Sequence, residues 1–171
     1  MLTLALLRHA KSSWDDPADD DFARPLNARG LATAPLAGRA LAGLGVKPSL
    51  VVCSPAKRTR ETLDLALAAM GLDTQPTIML DDRLYLASAT TLIEVVRDSP
   101  KEHACVLLIG HNPGLHDTAV TLAGAGETAL IETLQNRFPT AALAVLTFGR
   151  TRWRDIRTGD GRLDAFVTVK K

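Results

Sequence analysis

Short apolar runs alternate with segments of helical period along this chain, and that alternation limits its possible folds more than any other feature. The runs are bounded by turn residues and predict strands at residues 2–7, 49–53, 105–109, 142–148 and 165–169. The first three are almost uninterrupted in hydrophobicity, which is typical of strands covered on both faces. The last two carry more polar residues and therefore suit a sheet edge.

Helical periodicity fills the intervals between the predicted strands. It predicts helices over residues 34–44, 58–70, 90–97 and 113–122. Gly45 and Gly71 are natural helix stops, and Pro35 is tolerable near a first turn. Strands that alternate with helices indicate an α/β fold, a three-layer sandwich with a mainly parallel central sheet and helices on both faces.

Length and charge narrow the functional classes. A chain of 171 residues, 46% hydrophobic, suits one globular domain spanning residues 1–171. The net charge of +1 and the lack of a polybasic tract argue against nucleic acid or an anionic membrane as a partner. The apolar start is too short for a membrane span, and Cys53 and Cys105 lie in apolar runs typical of inert core thiols. We therefore expect a cytoplasmic protein, and a monomer.

Residues rich in chemistry follow three of the predicted strands. Arg8 and His9 follow the first, residues 54–58 with Arg58 follow the second, and His111 follows the third. Because open α/β sheets bind ligands beyond the carboxyl ends of their strands, we expect these residues to share one site. Two guanidiniums and a helix N-terminus favour a phosphate dianion. A neutral histidine in such a pocket can attack phosphorus and form a covalent phosphoenzyme.

Four sequence blocks carry a resemblance to a known family. They are Leu-Leu-Arg-His-Ala at residues 6–10, Arg-Pro-Leu-Asn-Ala-Arg-Gly at 24–30, Cys-Ser-Pro-Ala-Lys-Arg-Thr-Arg-Glu-Thr at 53–62, and Gly-His-Asn-Pro at 110–113. In this order they resemble the histidine phosphatase superfamily, with Ala10 where that family has glycine. The short chain without large insertions is similar to the SixA-type phosphohistidine phosphatases of that superfamily. The resemblance implies a phosphoglycerate mutase-like version of the predicted sandwich.

The resemblance also implies roles for individual residues. The implied catalytic set is His9 as nucleophile with Arg8, Arg58 and His111 as the phosphate pocket. Arg24 is the implied fifth member of the pocket and, with Asn112, is placed in substrate binding. Asn112 precedes Pro113 at a predicted helix start, where its side chain can also act as a cap.

One position departs from the family pattern. Many members carry a glutamate or aspartate there as a general acid for an alkoxide leaving group, whereas this chain has Leu86. Asp82 is a nearby substitute, although an acidic residue before a helix also serves as a loop or cap residue. An imidazole leaves far more easily than an alkoxide, so this site should favour phosphorus-nitrogen bonds over alkyl esters.

The remaining candidates have weaker signals. Residues 11–25 form a long acidic stretch that is either a solvated loop or part of a rim or lid. Trp14 either stacks on a substrate or anchors this loop, and His103 and His116 suit structural or surface positions. Metal-ligand spacing is not evident, so we expect no metal and no cofactor.

The sequence leaves three functional hypotheses. The leading one is a metal-independent phosphatase that works through a phosphohistidine on His9 and hydrolyses phosphohistidine in a protein, such as a signalling protein. The second is a phosphate-recognition module without turnover. The third is a phosphomonoesterase or mutase acting on a small phosphorylated metabolite.

Overall fold

The computed structural model describes residues 1–170, which form a seven-stranded sheet and five α-helices. The strands are β1 (Leu2–Arg8), β2 (Leu50–Cys53), β3 (Thr77–Leu80), β4 (Cys105–Gly110), β5 (Ala123–Gly126), β6 (Leu143–Phe148) and β7 (Gly161–Val167). The helices are α1 (Ala28–Gly43), α2 (Lys57–Met70), α3 (Ala89–Arg97), α4 (Gly114–Leu122) and α5 (Thr128–Asn136). Two 3-10 turns lie at Asp82–Leu84 and Trp153–Asp155.

The strand order is β3-β2-β4-β1-β6-β7-β5. β1, β2, β3 and β4 run parallel to one another, whereas β6 is antiparallel to both of its neighbours and β7 pairs parallel with β5. The expected mainly parallel α/β sheet is therefore confirmed, with one antiparallel strand in its interior.

The alternating side chains of β1 divide the core into two layers, because successive strand residues point to opposite faces of the sheet. Leu4 and Leu6 share a buried cluster with Leu92 of α3 and with residues of α4 and α5. Ala5 shares the other cluster with Leu41 of α1 and with residues of α2. Helices thus cover both faces, which confirms the three-layer arrangement.

The edge strands differ from the sequence expectation. β6 and β7 were expected at an edge, but each has a neighbour on both sides, and the edges are β3 and β5. β3 escaped the pattern analysis because it has four residues, all exposed, and so shows no alternation of buried and polar positions. β5 reads Ala-Gly-Ala-Gly and has no apolar run. Helix α5 and the early start of β7 at Gly161 were also missed.

Helix α1 begins earlier than its periodicity predicts, at Ala28 instead of residue 34, so Pro35 lies inside it. The Asn27 side chain accepts a hydrogen bond from the Gly30 amide at 2.9 Å and caps the first turn. Gly30 packs directly on the preceding loop, because a Cβ there would lie 2.1 Å from the Lys11 carbonyl oxygen. The other three predicted helices, α2, α3 and α4, begin within one residue of their predicted starts.

Register brings the three motif-bearing strand ends level with one another. Arg8 of β1 pairs with Gly110 of β4, and Cys53 of β2 pairs with Ile109. The residues that follow these strands therefore emerge together at the carboxyl end of the sheet, as the sequence analysis expects. Within residues 1–170, no helix is both long and apolar enough to cross a membrane.

Candidate active site

A pocket of about 240 Å³ lies at the carboxyl end of the sheet, where β1, β2 and β4 end. Three regions supply its walls: the strand ends, the loop of residues 11–25 and the turn before α3. Its lining residues are Arg8, His9, Lys11, Ser12, Trp14, Asp21, Arg24, Arg58, Leu86, His111, Asn112 and Thr140. All six residues that the sequence analysis placed in catalysis or substrate binding are in this set, although their roles stay predictions.

His9 follows β1 directly and is 7% exposed. Its Nδ1 lies 2.7 Å from the carbonyl oxygen of Ala10, and because a carbonyl only accepts, Nδ1 must carry the proton. The pKa of His9 is lowered to about 3, chiefly by burial. The hydrogen bond to Ala10 raises the pKa, whereas the nearby charges of Arg58 and Arg8 lower it further. At neutral pH the imidazole is therefore uncharged, with a lone pair on Nε2.

Arg58 lies in the first turn of α2 and is 2% exposed, which is unusual for a guanidinium. Arg8, at the end of β1, donates from Nη1 to the Phe138 carbonyl at 3.1 Å. We call Arg8 and Arg58 the arginine clamp. The Nε atom of each is buried and has no hydrogen-bond partner within residues 1–170. Since buried donors are normally satisfied, this pair is suited to the oxygens of an anion.

His111 connects the end of β4 to the clamp. Its Nδ1 lies 3.2 Å from Arg58 Nη2, which can only donate, so Nδ1 accepts and Nε2 donates to Ser54 Oγ at 2.8 Å. Burial, followed by the charge of Arg58, lowers the pKa of His111 to about 4. The ring centroids of His9 and His111 are 5.3 Å apart. His111 thus enters the pocket as a neutral ring that holds Arg58.

Residues 11–25 form one wall of the pocket, in agreement with a rim. Arg24 donates from Nη1 to Ser12 Oγ at 2.6 Å and from Nη2 to an Asp21 carboxylate oxygen at 3.1 Å. The Trp14 ring, 73% exposed, lies 3.5 Å from the Arg24 guanidinium carbon, as in a cation–π pair. The loop-anchor interpretation of Trp14 is therefore the one that this contact supports.

Asn112 lines the pocket, but its polar atoms bond to the protein. Its amide nitrogen donates to the Phe138 carbonyl at 2.7 Å, and its oxygen accepts from the His116 backbone amide at 3.2 Å. The side chain therefore caps α4, as the sequence suggested, and ties it to the segment that also holds Arg8.

The acid position is occupied by an apolar residue, as the alignment of motifs indicated. Leu86 lines the pocket with 56% of its surface exposed and a backbone φ of 50°, which is uncommon for leucine. Asp82 is exposed on a 3-10 turn and is not among the lining residues, so it does not replace the missing acid.

Sequence reasoning missed the carboxylate that does line the pocket. Asp21 lies three residues before Arg24, within a run of aspartates whose default interpretation is a solvated loop. The sequence signal for Asp21 was its proximity to Arg24. Because the loop contains five aspartates, that signal did not single out Asp21. Tyr85, whose hydroxyl donates to Asp21, was also missed.

The other histidines and the cysteines lie outside the pocket. His103 bonds to Ser49 Oγ near the start of β4, and His116 contacts the Leu134 carbonyl, so both are structural as expected. Cys53 is buried and its pKa is raised by burial to about 12, whereas Cys105 is half-buried. Across residues 1–170, no three His, Cys, Asp or Glu side chains form a group that could hold a metal ion.

Known proteins resemble this chain in both sequence and structure. The family model of the histidine phosphatase superfamily (branch 1) matches residues 4–105. An uncharacterized protein of Mycobacterium tuberculosis is 36% identical over 94% of this chain and 98% of its own length. Two solved structures are assigned as the phosphohistidine phosphatase SixA. The one from Agrobacterium tumefaciens has a TM-score of 0.80 at 31% identity, covering 98% and 97% of the two chains. The one from Nakamurella multipartitia has a TM-score of 0.83 at 28% identity, and the match covers 98% of this chain and 96% of that chain.

These matches define the class of the protein. The family model matches residues 4–105, which are more than half of the chain and include the arginine-histidine pair at the end of β1. The chain belongs to the histidine phosphatase superfamily. Its family and its SixA structural neighbours indicate a histidine-phosphatase-type activity.

Proposed function

We propose that this protein is a metal-independent phosphohistidine phosphatase that transfers the phosphoryl group of a phosphorylated protein to His9. The observation that carries the proposal is the combination at His9: a buried neutral imidazole with its proton on Nδ1, in one pocket with the guanidiniums of Arg8 and Arg58. The first group is a nucleophile, and the other two can bind oxygens of the transferred phosphoryl group.

The reaction has two steps. In the first, the lone pair of His9 Nε2 forms a bond to phosphorus while the bond from phosphorus to the substrate imidazole breaks. The departing nitrogen keeps that electron pair and ends protonated, with the proton drawn from water. In the second step water attacks the phosphorylated Nε2, gives up a proton and releases inorganic phosphate, which returns the lone pair to His9. The arginine clamp stabilises the charge spread over the phosphoryl oxygens in both steps.

The leaving group decides the substrate class. An alkoxide needs a proton as its bond breaks, but Leu86 occupies the acid position and Asp21 is ionised, with a pKa lowered to about 2 by hydrogen bonds that outweigh its desolvation. An imidazole, whose conjugate acid has a pKa of about 6.5, leaves without such help. Phosphohistidine should therefore be cleaved in preference to alkyl phosphates.

The proposal is tested by comparing kcat/KM for a phosphohistidine-bearing protein and for a simple alkyl phosphate at neutral pH, with EDTA present. We expect the phosphohistidine substrate to be preferred by on the order of a hundredfold or more, the scale of one general-acid contribution. After brief exposure to phosphoramidate, intact-mass analysis should detect a phosphorylated chain, and His9→Ala should abolish it. A preference for the alkyl ester, or activity that returns only when magnesium or zinc is added, contradicts the proposal. Phosphate binding without any turnover would make the protein a recognition module.

A further inference from the structure

Asp21 is the carboxylate in the lining of the pocket, and it bonds to two of the pocket's arginines. Its Oδ2 accepts from Arg58 Nη2 at 3.0 Å, and its Oδ1 accepts from Arg24 Nη2 at 3.1 Å. The Tyr85 hydroxyl also donates to Oδ2, and the Asp21 backbone oxygen accepts from Arg58 Nη1. One loop residue thus fixes two arginines of the pocket.

The way in which Asp21 holds Arg58 determines which donors remain for a ligand. Both terminal nitrogens, Nη1 and Nη2, bond to Asp21, so the tip of the planar guanidinium is occupied. Fixing the tip of a rigid plane also fixes the direction of its side, where Nε lies. That Nε is the buried atom without a partner. Each terminal nitrogen has two hydrogens, and the second one on Nη2 is directed to His111 Nδ1 at 3.2 Å, so a second hydrogen on Nη1 and the one on Nε remain.

We propose that Asp21 is a positioning residue of the arginine clamp, which holds the tip of Arg58 and so keeps its guanidinium in place at the wall of the pocket. The inference rests on the proposed phosphatase function and adds a residue to it. Arg24 is held by the same carboxylate and by Ser12, so its role is to brace Asp21 from the other side. Tyr85 completes the arrangement as a neutral donor to the same oxygen.

Two other roles for Asp21 conflict with its surroundings. A general acid must carry a proton, whereas hydrogen bonds from Tyr85, Arg24 and Arg58 keep the pKa of this carboxyl at about 2 despite its desolvation. A carboxylate that competes with phosphate would have to release Arg58 when the anion binds, whereas Arg58, Arg24 and Tyr85 together hold Asp21 in place. The contacts therefore favour a supporting function.

The test compares Asp21→Asn with Asp15→Asn, which removes the same charge from an exposed part of the same loop. Isothermal calorimetry with inorganic phosphate measures the clamp without turnover, and kcat/KM for an aryl phosphate measures catalysis. We expect Asp21→Asn to weaken phosphate binding and lower kcat/KM, each by about tenfold, and Asp15→Asn to change both by less than about twofold. Tyr85→Phe should shift both values in the same direction by a smaller factor.

A double-mutant cycle separates positioning from a general structural effect. If Asp21 acts through Arg58, then Asp21→Asn should cost at most about threefold in an Arg58→Ala background. Full additivity of the two losses overturns the proposal, and so does tighter phosphate binding by Asp21→Asn, which would make the carboxylate a competing anion. If calorimetry agrees but phosphohistidine is not hydrolysed, the positioning inference stands and the proposed function fails.

Discussion

The two ends of the parallel strands carry cavities of opposite character. The cavity at the amino ends of β2 and β3 has a volume of about 470 Å³ and is lined largely by neutral side chains such as Val46 and Met70. The pocket at the carboxyl end is about half as large, at about 240 Å³, but it contains buried histidines and guanidiniums. By volume alone, the amino-end cavity would be the stronger candidate for a ligand site.

The two cavities differ in whether the buried polar atoms near them have hydrogen-bond partners. Three buried side-chain polar atoms within residues 1–170 have no hydrogen-bond partner, and two of them are the Nε atoms of Arg8 and Arg58. None of the three lines the amino-end cavity. An unsatisfied buried donor costs free energy in the absence of a ligand, so it indicates a binding site more directly than space does. Chemistry, and not cavity volume, distinguishes the two ends.

The largest expected effect comes from removing the nucleophile. His9→Ala should lower turnover of an aryl phosphate by on the order of 10⁴-fold or more, because no other group can form the phosphoenzyme. The fold should persist, since His9 follows the strand and is not part of either apolar core cluster. The measurement is kcat with the melting temperature as control. Activity within tenfold of the parent would remove His9, and with it the carboxyl-end pocket, from the mechanism.

A cation at each end provides a matched comparison of the two cavities. Arg58→Ala should cost about 3 kcal/mol of transition-state stabilisation, or about a hundredfold in kcat/KM. Arg58→Lys should recover only part of this, because a point charge lacks the planar fork of donors. Lys47→Ala, in the amino-end cavity, should change kcat/KM by less than about twofold. Equal losses from Arg58→Ala and Lys47→Ala would show that the two ends are not functionally different.

The smallest effect is on the pH dependence of stability. The pKa values of His9 and His111 are lowered to about 3 and about 4, whereas unfolded histidine titrates near 6.5. Between these values the unfolded chain binds more protons than the folded one, so stability falls as pH drops from about 6.5 toward 4. We expect the melting temperature to decrease by several degrees between pH 7 and pH 5.

Matched histidine variants locate the source of that pH dependence. His9→Asn should make the melting temperature less sensitive to pH, because one buried histidine no longer resists protonation. His111→Asn, which removes the other buried histidine with a lowered pKa, should reduce the sensitivity in the same direction. The same pH dependence in the parent and in His9→Asn would contradict the assignment of a buried neutral imidazole at His9.

Local patterns predicted the central part of the fold. The strands that became β1, β2 and β4 are continuous apolar runs, so hydrophobicity alone located them. Edge strands β3 and β5 were not predicted, because an edge strand gains its identity from pairing with a neighbour and not from burial of its own side chains. The misplacement of β6 and β7 at an edge has the same origin.

The sequence predicted which residues would line the pocket better than it predicted the contacts among them. Arg8, His9, Arg58 and His111 were placed in one pocket because parallel strand ends must meet at the same end of the sheet. Asp82, which the sequence left open as an acid or a loop residue, lies exposed on a 3-10 turn and outside the lining of the pocket. A residue close to the site in sequence lies in the pocket only if the loop that carries it folds that way. Loop conformation leaves no periodic pattern in the sequence, so it cannot be predicted as strands and helices are.

The sequence by itself determined β1, β2, β4 and β6, the helices α1 to α4, the motifs at three strand ends and the apolar residue Leu86 at the expected acid position. These properties follow from residue type and spacing, which act over a few positions of the chain. Only the tertiary structure decided that Asp21 holds Arg58 across 37 residues of sequence and that, within residues 1–170, the Nε atoms of the clamp have no partner. Such pairings depend on how distant segments pack, and no local interaction encodes which of several aspartates in one loop reaches a guanidinium.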